Sequence, residues 1–136
     1  RFLQTVKSKG LIFDPTLFLC IENKMDWAIR FVKRANQIGV KICAGTDYIN
    51  DLNRPFPFIF DELDLYVEKC DFYPMEAIFT VTKVAAEALG ICNKVGTVEV
   101  GKQADLLILS GNPFDDIKEL RKIKVVIKRG IEINVD

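Results

Sequence analysis

Apolar side chains recur at helical spacing along much of the first part of the chain. Apolar residues every three or four positions predict helices whose buried stripes face a core. The segments with this spacing are 25–38, 59–70 and 74–89. Residues 1–9 are typical of the end of a further helix, with Gly10 in the position that often follows a helix C-terminus. Pro74 suits the first turn of its helix, because a proline there loses no helical hydrogen bond.

Two strand-like runs lie between these helices, at 11–19 and 40–45. The run at 40–45 is of the continuous apolar type that is typical of strands buried on both faces, as in parallel sheets. Pro15 cannot donate to a strand ladder, so pairing of the first run should fail or bulge there. Strands that alternate with helices predict a parallel α/β unit over residues 1–90.

The pattern changes after residue 90. Residues 95–111, "VGTVEVGKQADLLILSG", predict short β-rich pieces broken by glycines. Residues 123–135, "IKVVIKRGIEINV", predict a β-hairpin that turns at Arg129-Gly130. We therefore expect two parts, an α/β part over 1–90 and a small β part over 91–136.

The charge balance excludes several classes of partner. The 19 basic and 19 acidic residues cancel, so no net field attracts nucleic acid or an anionic membrane. The basic residues of 118–130 alternate with Ile and Val, which is typical of the solvated face of a strand. No apolar run approaches the roughly 20 residues that span a bilayer, and no signal peptide is expected.

The cysteines and the first residue bear on location and completeness. Cys20, Cys43, Cys70 and Cys92 form no closely spaced pair, so we expect buried, reduced thiols in a cytoplasmic protein. The chain begins at Arg1 and not at Met, so we expect it to be processed, cut or incomplete.

The segment 41–50, "KICAGTDYIN", ends a buried run on an acid, Asp47, in a chain that has no histidine. In barrel enzymes catalytic groups lie at the C-terminal ends of the strands, which is where Asp47 falls. The alternative is an Asx-type turn that closes a strand, a common use of Asp. Asp14 precedes Pro15 and Asp51 lies further into the loop, so both are weaker candidates for a catalytic acid.

A series of short motifs follows in a distinctive order. They are Glu76-Ala77-Ile78, Thr82 to Ala86, Leu89-Gly90, Gly96-Thr97, Gly101-Lys102 and Ala104-Asp105. In this order, and after "AGTD" at 44–47, they resemble the C-terminal stretch of the metal-dependent amidohydrolases, in the imidazolonepropionase-like and prolidase-like branch. The resemblance is strong after residue 74 and faint before residue 40.

The resemblance implies a particular α/β architecture. The family fold is a (β/α)8 TIM-type barrel whose N- and C-terminal strands also build a small β-sandwich. A complete barrel needs at least about 200 residues. We therefore expect 1–90 to supply the last two strand-helix units of the barrel, and 91–136 the C-terminal half of the sandwich.

The resemblance also implies a chemistry. Asp47 would be the aspartate that contacts a divalent metal, with zinc the expected ion, and the catalytic water. The parent would hydrolyse a carbon–nitrogen bond of a small molecule: a cyclic amide, a dipeptide ending in proline or an aminated ring. It could form a homo-oligomer. The other metal ligands belong to earlier strands, so this chain alone should be inactive; the alternative is a non-enzymatic remnant or interaction module.

Three further features have a structural and a functional interpretation. "GKQAD" at 101–105 lacks the spaced glycines of a phosphate loop, so a tight turn before a strand is favoured. "RPFPFIF" at 54–60 could line a substrate pocket or pack as an apolar loop on the barrel mouth. Many relatives carry a histidine in this loop ahead of the pair that is Glu62-Leu63 here. Trp27 and Tyr48 are expected to be packing residues.

Overall fold

Two short parallel strands organise the first part of the chain. A computed structural model describes residues 1–47 and 58–134, apart from the side chain of Glu22. Strand β1 (Ile12–Phe13) pairs in parallel with β2 (Lys41–Ile42), with Ile12 opposite Lys41 and Phe13 opposite Ile42. Helices occupy the connection between them, so the predicted parallel α/β arrangement is confirmed.

The strand predicted over 11–19 is wrong beyond its first residues. Pairing stops before Pro15, as expected, but the chain then forms a helix, α2 (Leu17–Glu22). An apolar run of this length cannot by itself distinguish a buried strand from a buried helix. A distant carboxylate, Glu62, accepts hydrogen bonds from the first two amides of α2.

The other helices follow the predicted spacing with one interruption. They are α1 (Phe2–Ser8), α3 (Trp27–Gln37), α4 (Ile59–Lys69), α5 (Pro74–Val81) and α6 (Lys83–Ala88). The single helix predicted over 74–89 is therefore two, with the break at Thr82, where φ is −122° and ψ is −90°. Near the end of α5, the Thr80 carbonyl accepts a hydrogen bond from the Ala44 amide at 3.2 Å. The break thus accompanies a contact between α5 and the segment that follows β2.

The second part of the chain is a three-stranded antiparallel sheet. Its order is β3 (Leu106–Leu109), β4 (Ile123–Lys128), β5 (Ile131–Ile133), and a 3₁₀ helix, Ile117–Arg121, precedes β4. The predicted hairpin is confirmed: Arg129 and Gly130 have φ of +53° and +78°, the signs that a tight hairpin turn requires. The β-rich pieces predicted from residue 95 onward are confirmed only in β3, because 95–105 forms turns and no strand.

The two parts share one apolar core. Ile117 and Leu120 of the 3₁₀ helix are buried in the same cluster as Leu63 and Tyr66 of α4. Arg121 adds ion pairs to two carboxylates of α4, those of Asp61 and Asp64, each at 2.9 Å. None of the described helices combines the length and apolarity needed to cross a bilayer.

Candidate functional site

Two acids follow the two parallel strands at the same edge. Asp14 comes directly after β1, and Asp47 comes a few residues after β2. Because parallel strands run in the same direction, their C-terminal ends lie together. Asp47 is exposed, and its φ of +46° places a non-glycine residue in the left-handed region. The structure therefore places the predicted acid at an accessible strand edge.

Asp14 is bonded directly to the segment that carries Asp47. Its Oδ1 accepts a hydrogen bond from the Gly45 amide at 3.1 Å and another from the Thr16 amide at 3.3 Å. A Cβ atom at Gly45 would lie 2.5 Å from Asp14 Oδ2, closer than real contacts allow. Glycine at 45 is therefore what lets this carboxylate approach the backbone.

A second carboxylate, Glu62 on α4, is completely buried beneath this edge. Its Oε1 accepts from the Leu17 amide at 2.9 Å, and its Oε2 from the Phe18 amide at 2.5 Å. Burial raises the pKa of Glu62, although these hydrogen bonds oppose the shift. Burial, and then the charge of Glu62, also raises the pKa of Tyr66, which lies one helical turn further along α4.

Sequence reasoning named Glu62 only as part of a family motif. The available signal was an acid four residues before Tyr66, on the apolar stripe of a predicted helix. Acids are almost never fully buried unless they have a partner. Such a position therefore indicates an internal hydrogen-bonding role.

The thiols beside this edge are not activated. Burial and then the charge of Asp14 raise the pKa of Cys43, while burial and then Glu62 raise that of Cys20. A raised pKa disfavours the thiolate, the form that attacks or binds metal. All four cysteines are free, as predicted, but only Cys70 is buried: Cys20 and Cys43 are half-buried, and Cys92 is exposed.

The described residues do not complete a metal site. Within 1–47 and 58–134, no three His, Cys, Asp or Glu side chains lie close enough together to hold an ion. Zinc sites use three or more protein ligands, whereas this edge offers two carboxylates, those of Asp47 and of Asp14, and Asp14 already accepts from two backbone amides. A metal here would require ligands from outside the described residues.

The other predicted features resolve into structural roles, as far as they are described. Residues 101–105 form a turn before β3, where Lys102 N–H donates to Glu99 O at 3.2 Å. Phe58 is buried and stacks on Phe18 with ring centroids 5.7 Å apart. The rest of the 54–57 loop, with Tyr48, lies outside the described residues. Trp27 is 55% exposed, so the packing prediction holds only for its edge contact with Phe31.

Asp105, the acid of the Ala-Asp motif, fastens the hairpin turn. It accepts hydrogen bonds from Lys128 Nζ at 2.6 Å, from the Arg129 amide at 2.8 Å and from Gln103 Nε2 at 2.7 Å. These donors, Lys128 first, lower the pKa of Asp105 to about 2. Its role in the described structure is to hold β4 and β5 against the start of β3.

A cavity of about 810 Å³ lies between α4, α5 and α6 on one side and β3 on the other. Its lining is mainly apolar and includes Leu63, Ile78, Ala86, Val95 and Leu106. Asp47 does not line this cavity. The cavity and the acidic strand edge are therefore separate features of the molecule.

Comparison with solved structures defines the class of fold. The chain superposes on a Xaa-Pro dipeptidase with bound methionine at a TM-score of 0.84 and 28% identity, covering 98% of this chain and 37% of that one. It superposes on ochratoxinase of A. niger at a TM-score of 0.80 and 26% identity, covering 96% and 33%. The mixed α/β fold is thus that of amidohydrolase structures.

Sequence comparison gives the family. The profile of the amidohydrolase family matches residues 6–133, and the chain belongs to that family. It is 35% identical over 134 residues to the imidazolonepropionase of Thermoplasma acidophilum, covering 94% of this chain and 31% of the relative. The resemblance to the imidazolonepropionase and prolidase branch is confirmed, and the chain spans about a third of these relatives.

Proposed function

We propose that this chain is the C-terminal part of a metal-dependent hydrolase that cleaves carbon–nitrogen bonds in small molecules. The observation that carries the proposal is Asp47, an exposed acid at the C-terminal edge of parallel strands within the family-matched region. Barrel enzymes assemble their active sites at this edge. Cyclic amides, dipeptides ending in proline and aminated rings are the substrate classes that fit the family.

In this proposal Asp47 has two tasks. It supplies one carboxylate to a divalent metal, with zinc the expected ion, and the other ligands come from strands outside this chain. The metal, when bound, polarises the substrate carbonyl and makes water a better nucleophile. Asp47 accepts the proton of the attacking water and passes it to the departing nitrogen. Its exposure supports this, because the carboxylate must be accessible to both groups.

The architecture follows from the same proposal. Residues 1–90 supply the last two strand-helix units of a (β/α)8 barrel, and 91–136 supply half of a composite β-sandwich. The apolar side chains exposed on the sheet support this, because such surfaces are normally covered. They include Leu107, Ile108, Ile123, Ile131 and Ile133.

Isolation of the chain tests this architecture. The uncovered apolar surface should bind a hydrophobic dye and cause self-association, measured by dye fluorescence and sedimentation. The dialysed chain should retain less than one zinc, manganese or iron ion per molecule. A monodisperse monomer with a sharp cooperative melt, or a stoichiometric metal, would contradict the proposal.

The test of Asp47 uses a protein in which the earlier strands are present. Asp47→Asn keeps the size of the side chain but cannot accept the proton, so turnover should fall by about 100-fold or more. The fold should survive, because the residue lies at an exposed edge. The matched control is Asp51→Asn, four residues later in the sequence, which should cost far less. Near-full turnover in Asp47→Asn together with its loss in Asp51→Asn would overturn the assignment.

A non-enzymatic remnant or interaction module is the second candidate. Both candidates leave the metal site incomplete among the described residues. The coding sequence upstream of Arg1 separates the two. A strand carrying His-x-His within a few hundred codons supports the enzyme, and a start codon close to Arg1 supports the remnant.

A further inference from the structure

We propose that Asp14 is a positioning residue for Asp47. It accepts a hydrogen bond from the Gly45 amide and so holds the backbone two residues before Asp47. This inference rests on the proposed function, since it assigns a role in the reaction that Asp47 would serve. Asp14 itself is not proposed to touch substrate or metal.

Three successive amides leading to Asp47 are each held by a different part of the fold. Cys43 N–H donates to the Phe13 carbonyl of β1 at 3.0 Å, and Ala44 N–H donates to Thr80 O of α5 at 3.2 Å. Gly45 N–H donates to Asp14 Oδ1 at 3.1 Å. Among these three acceptors, Asp14 is the one that accepts through its side chain. Its partner Gly45 is the last of the three donors before Asp47. Removing the Asp14 side chain frees the end of the strand that carries the acid.

Asp14 is itself held in place. The same Oδ1 accepts from the Thr16 amide at 3.3 Å, which closes a short loop around Pro15. Directly after this loop, the buried Glu62 accepts from the Leu17 and Phe18 amides. The segment 14–18 is thus fastened at one end to the strand edge and at the other to α4.

Backbone strain lies on both sides of this connection. Thr16 and Asp47 each have φ of +46°, a region that non-glycine residues seldom occupy. Such conformations persist where the surrounding contacts determine them, and they cluster at active sites. Asp14 accepts from the amide of Thr16, and Glu62 accepts from the two amides that follow it, so the first of these two positions is held by hydrogen bonds on both sides.

The role requires an acceptor and not a charge, which makes it testable. Asn at 14 keeps Oδ1 and can accept both hydrogen bonds, whereas Ala keeps neither. In the complete parent, Asp14→Ala should lower kcat by about 10- to 100-fold, the usual scale for supporting contacts, with KM little changed. Asp14→Asn should keep kcat close to that of the parent. Asp26→Ala is the matched control, since this exposed acid makes no capping bond to α3, and it should change nothing.

Gly45→Ala changes the donor residue of the same hydrogen bond. The added Cβ would displace the Asp14 carboxylate, so kcat should fall as in Asp14→Ala. In the double variant Asp14→Ala, Gly45→Ala, kcat should be no lower than in Gly45→Ala alone, because the carboxylate that the added Cβ would contact has been removed. Should Asp14→Ala not fold, the Gly45→Ala and Asp14→Asn variants still decide the question.

A readout without turnover separates this inference from the proposed function. Hydrogen exchange at the Gly45 amide should accelerate in Asp14→Ala and stay unchanged in Asp14→Asn. If the parent hydrolyses nothing, the proposed function fails while the exchange result still tests the bond. Unchanged exchange in Asp14→Ala, full kcat in that variant, or a loss in Asp14→Asn equal to that in Asp14→Ala would overturn the positioning role.

Discussion

Helix α4 and the three-stranded sheet differ in how far they bury their apolar side chains. In α4, Leu63 is 1% exposed and Tyr66 is fully buried. In the sheet, Leu107 is 49% exposed and Ile131 is 67% exposed. Both parts are rich in large apolar residues, so composition does not explain the difference. The helices close a core among themselves and the 3₁₀ helix, whereas the sheet presents apolar side chains outward.

The exposed apolar groups of the sheet lie on both of its faces. Leu107 and Ile108 are neighbours on β3 and both are about half exposed. Successive side chains of a strand point to opposite faces, so both faces of this sheet carry exposed apolar groups. Sheets that face water usually do so on one polar face. Within the described residues, both faces of β3 are therefore only partly covered.

Matched truncations should give the largest contrast. Leu63→Ala should lower the free energy of unfolding by about 2–5 kcal/mol, because it leaves a cavity in the core. Leu107→Ala should cost well under half of that, since half of its side chain already contacts water. The urea midpoints of both variants, each compared with the unchanged chain at the same protein concentration, measure the two losses. Equal losses would mean that the sheet is as well covered as the helices.

The glycines of the second part offer a smaller contrast. Gly96 and Gly101 have φ of +98° and +88°, so alanine is strained at both. At Gly96 a Cβ would also lie 2.6 Å from the Ala86 Cβ of α6, whereas at Gly101 it meets nothing within 4 Å. Gly96→Ala should therefore destabilise by about 1–3 kcal/mol more than Gly101→Ala, the usual cost of overpacking.

Thermal melting of the two glycine variants checks this prediction. It also tests whether the turn at residue 96 packs on the helical part. Similar melting temperatures would place that turn away from α6.

The buried acid of the helical part should make stability fall as pH rises. Burial holds the pKa of Glu62 above its ordinary 4.5, so the folded chain binds this proton more tightly than the unfolded chain. The associated stability is complete below the ordinary pKa and is lost as pH rises through the folded-state value. Glu62→Gln does not titrate, so its stability should fall less over that interval. Urea midpoints at several pH values check this, and an unchanged slope in the variant would contradict it.

The half-buried Asp105, which directly precedes β3, should affect stability with the opposite sign and by the smallest amount. Because the pKa of Asp105 is lowered from 3.8 to about 2, its stabilisation is present above pH 3.8 and is lost as pH falls through about 2. In Asp105→Asn, stability should therefore depend less on pH between about 2 and 3.8 than in the unchanged chain. Circular dichroism from neutral to strongly acid pH measures it. An identical acid limb in both proteins would show that the hairpin contacts of Asp105 do not contribute.

The amino-acid sequence by itself determined the local elements. Helical spacing located α3 and α4 to within a few residues, and the Arg129-Gly130 pair located the hairpin, because these signals come from neighbouring residues. The order of motifs after residue 74 was sufficient to indicate the amidohydrolase family. Pro15 correctly marked the end of the first strand pairing. Asp47 as the catalytic acid stays a prediction.

Only the tertiary structure decided how these elements meet. The first two amides of helix α2 donate hydrogen bonds to Glu62, which lies more than forty residues away in the sequence. The predicted helix over 74–89 breaks close to Thr80, whose carbonyl accepts a hydrogen bond from the Ala44 amide. Asp14 reaches Gly45 across 31 residues of sequence. No local periodicity encodes such contacts, since each depends on where two separately formed elements are packed. The sequence shows that an acid follows each strand, Asp14 after the first and Asp47 after the second. The packing shows that Asp14 accepts a hydrogen bond from the backbone two residues before Asp47.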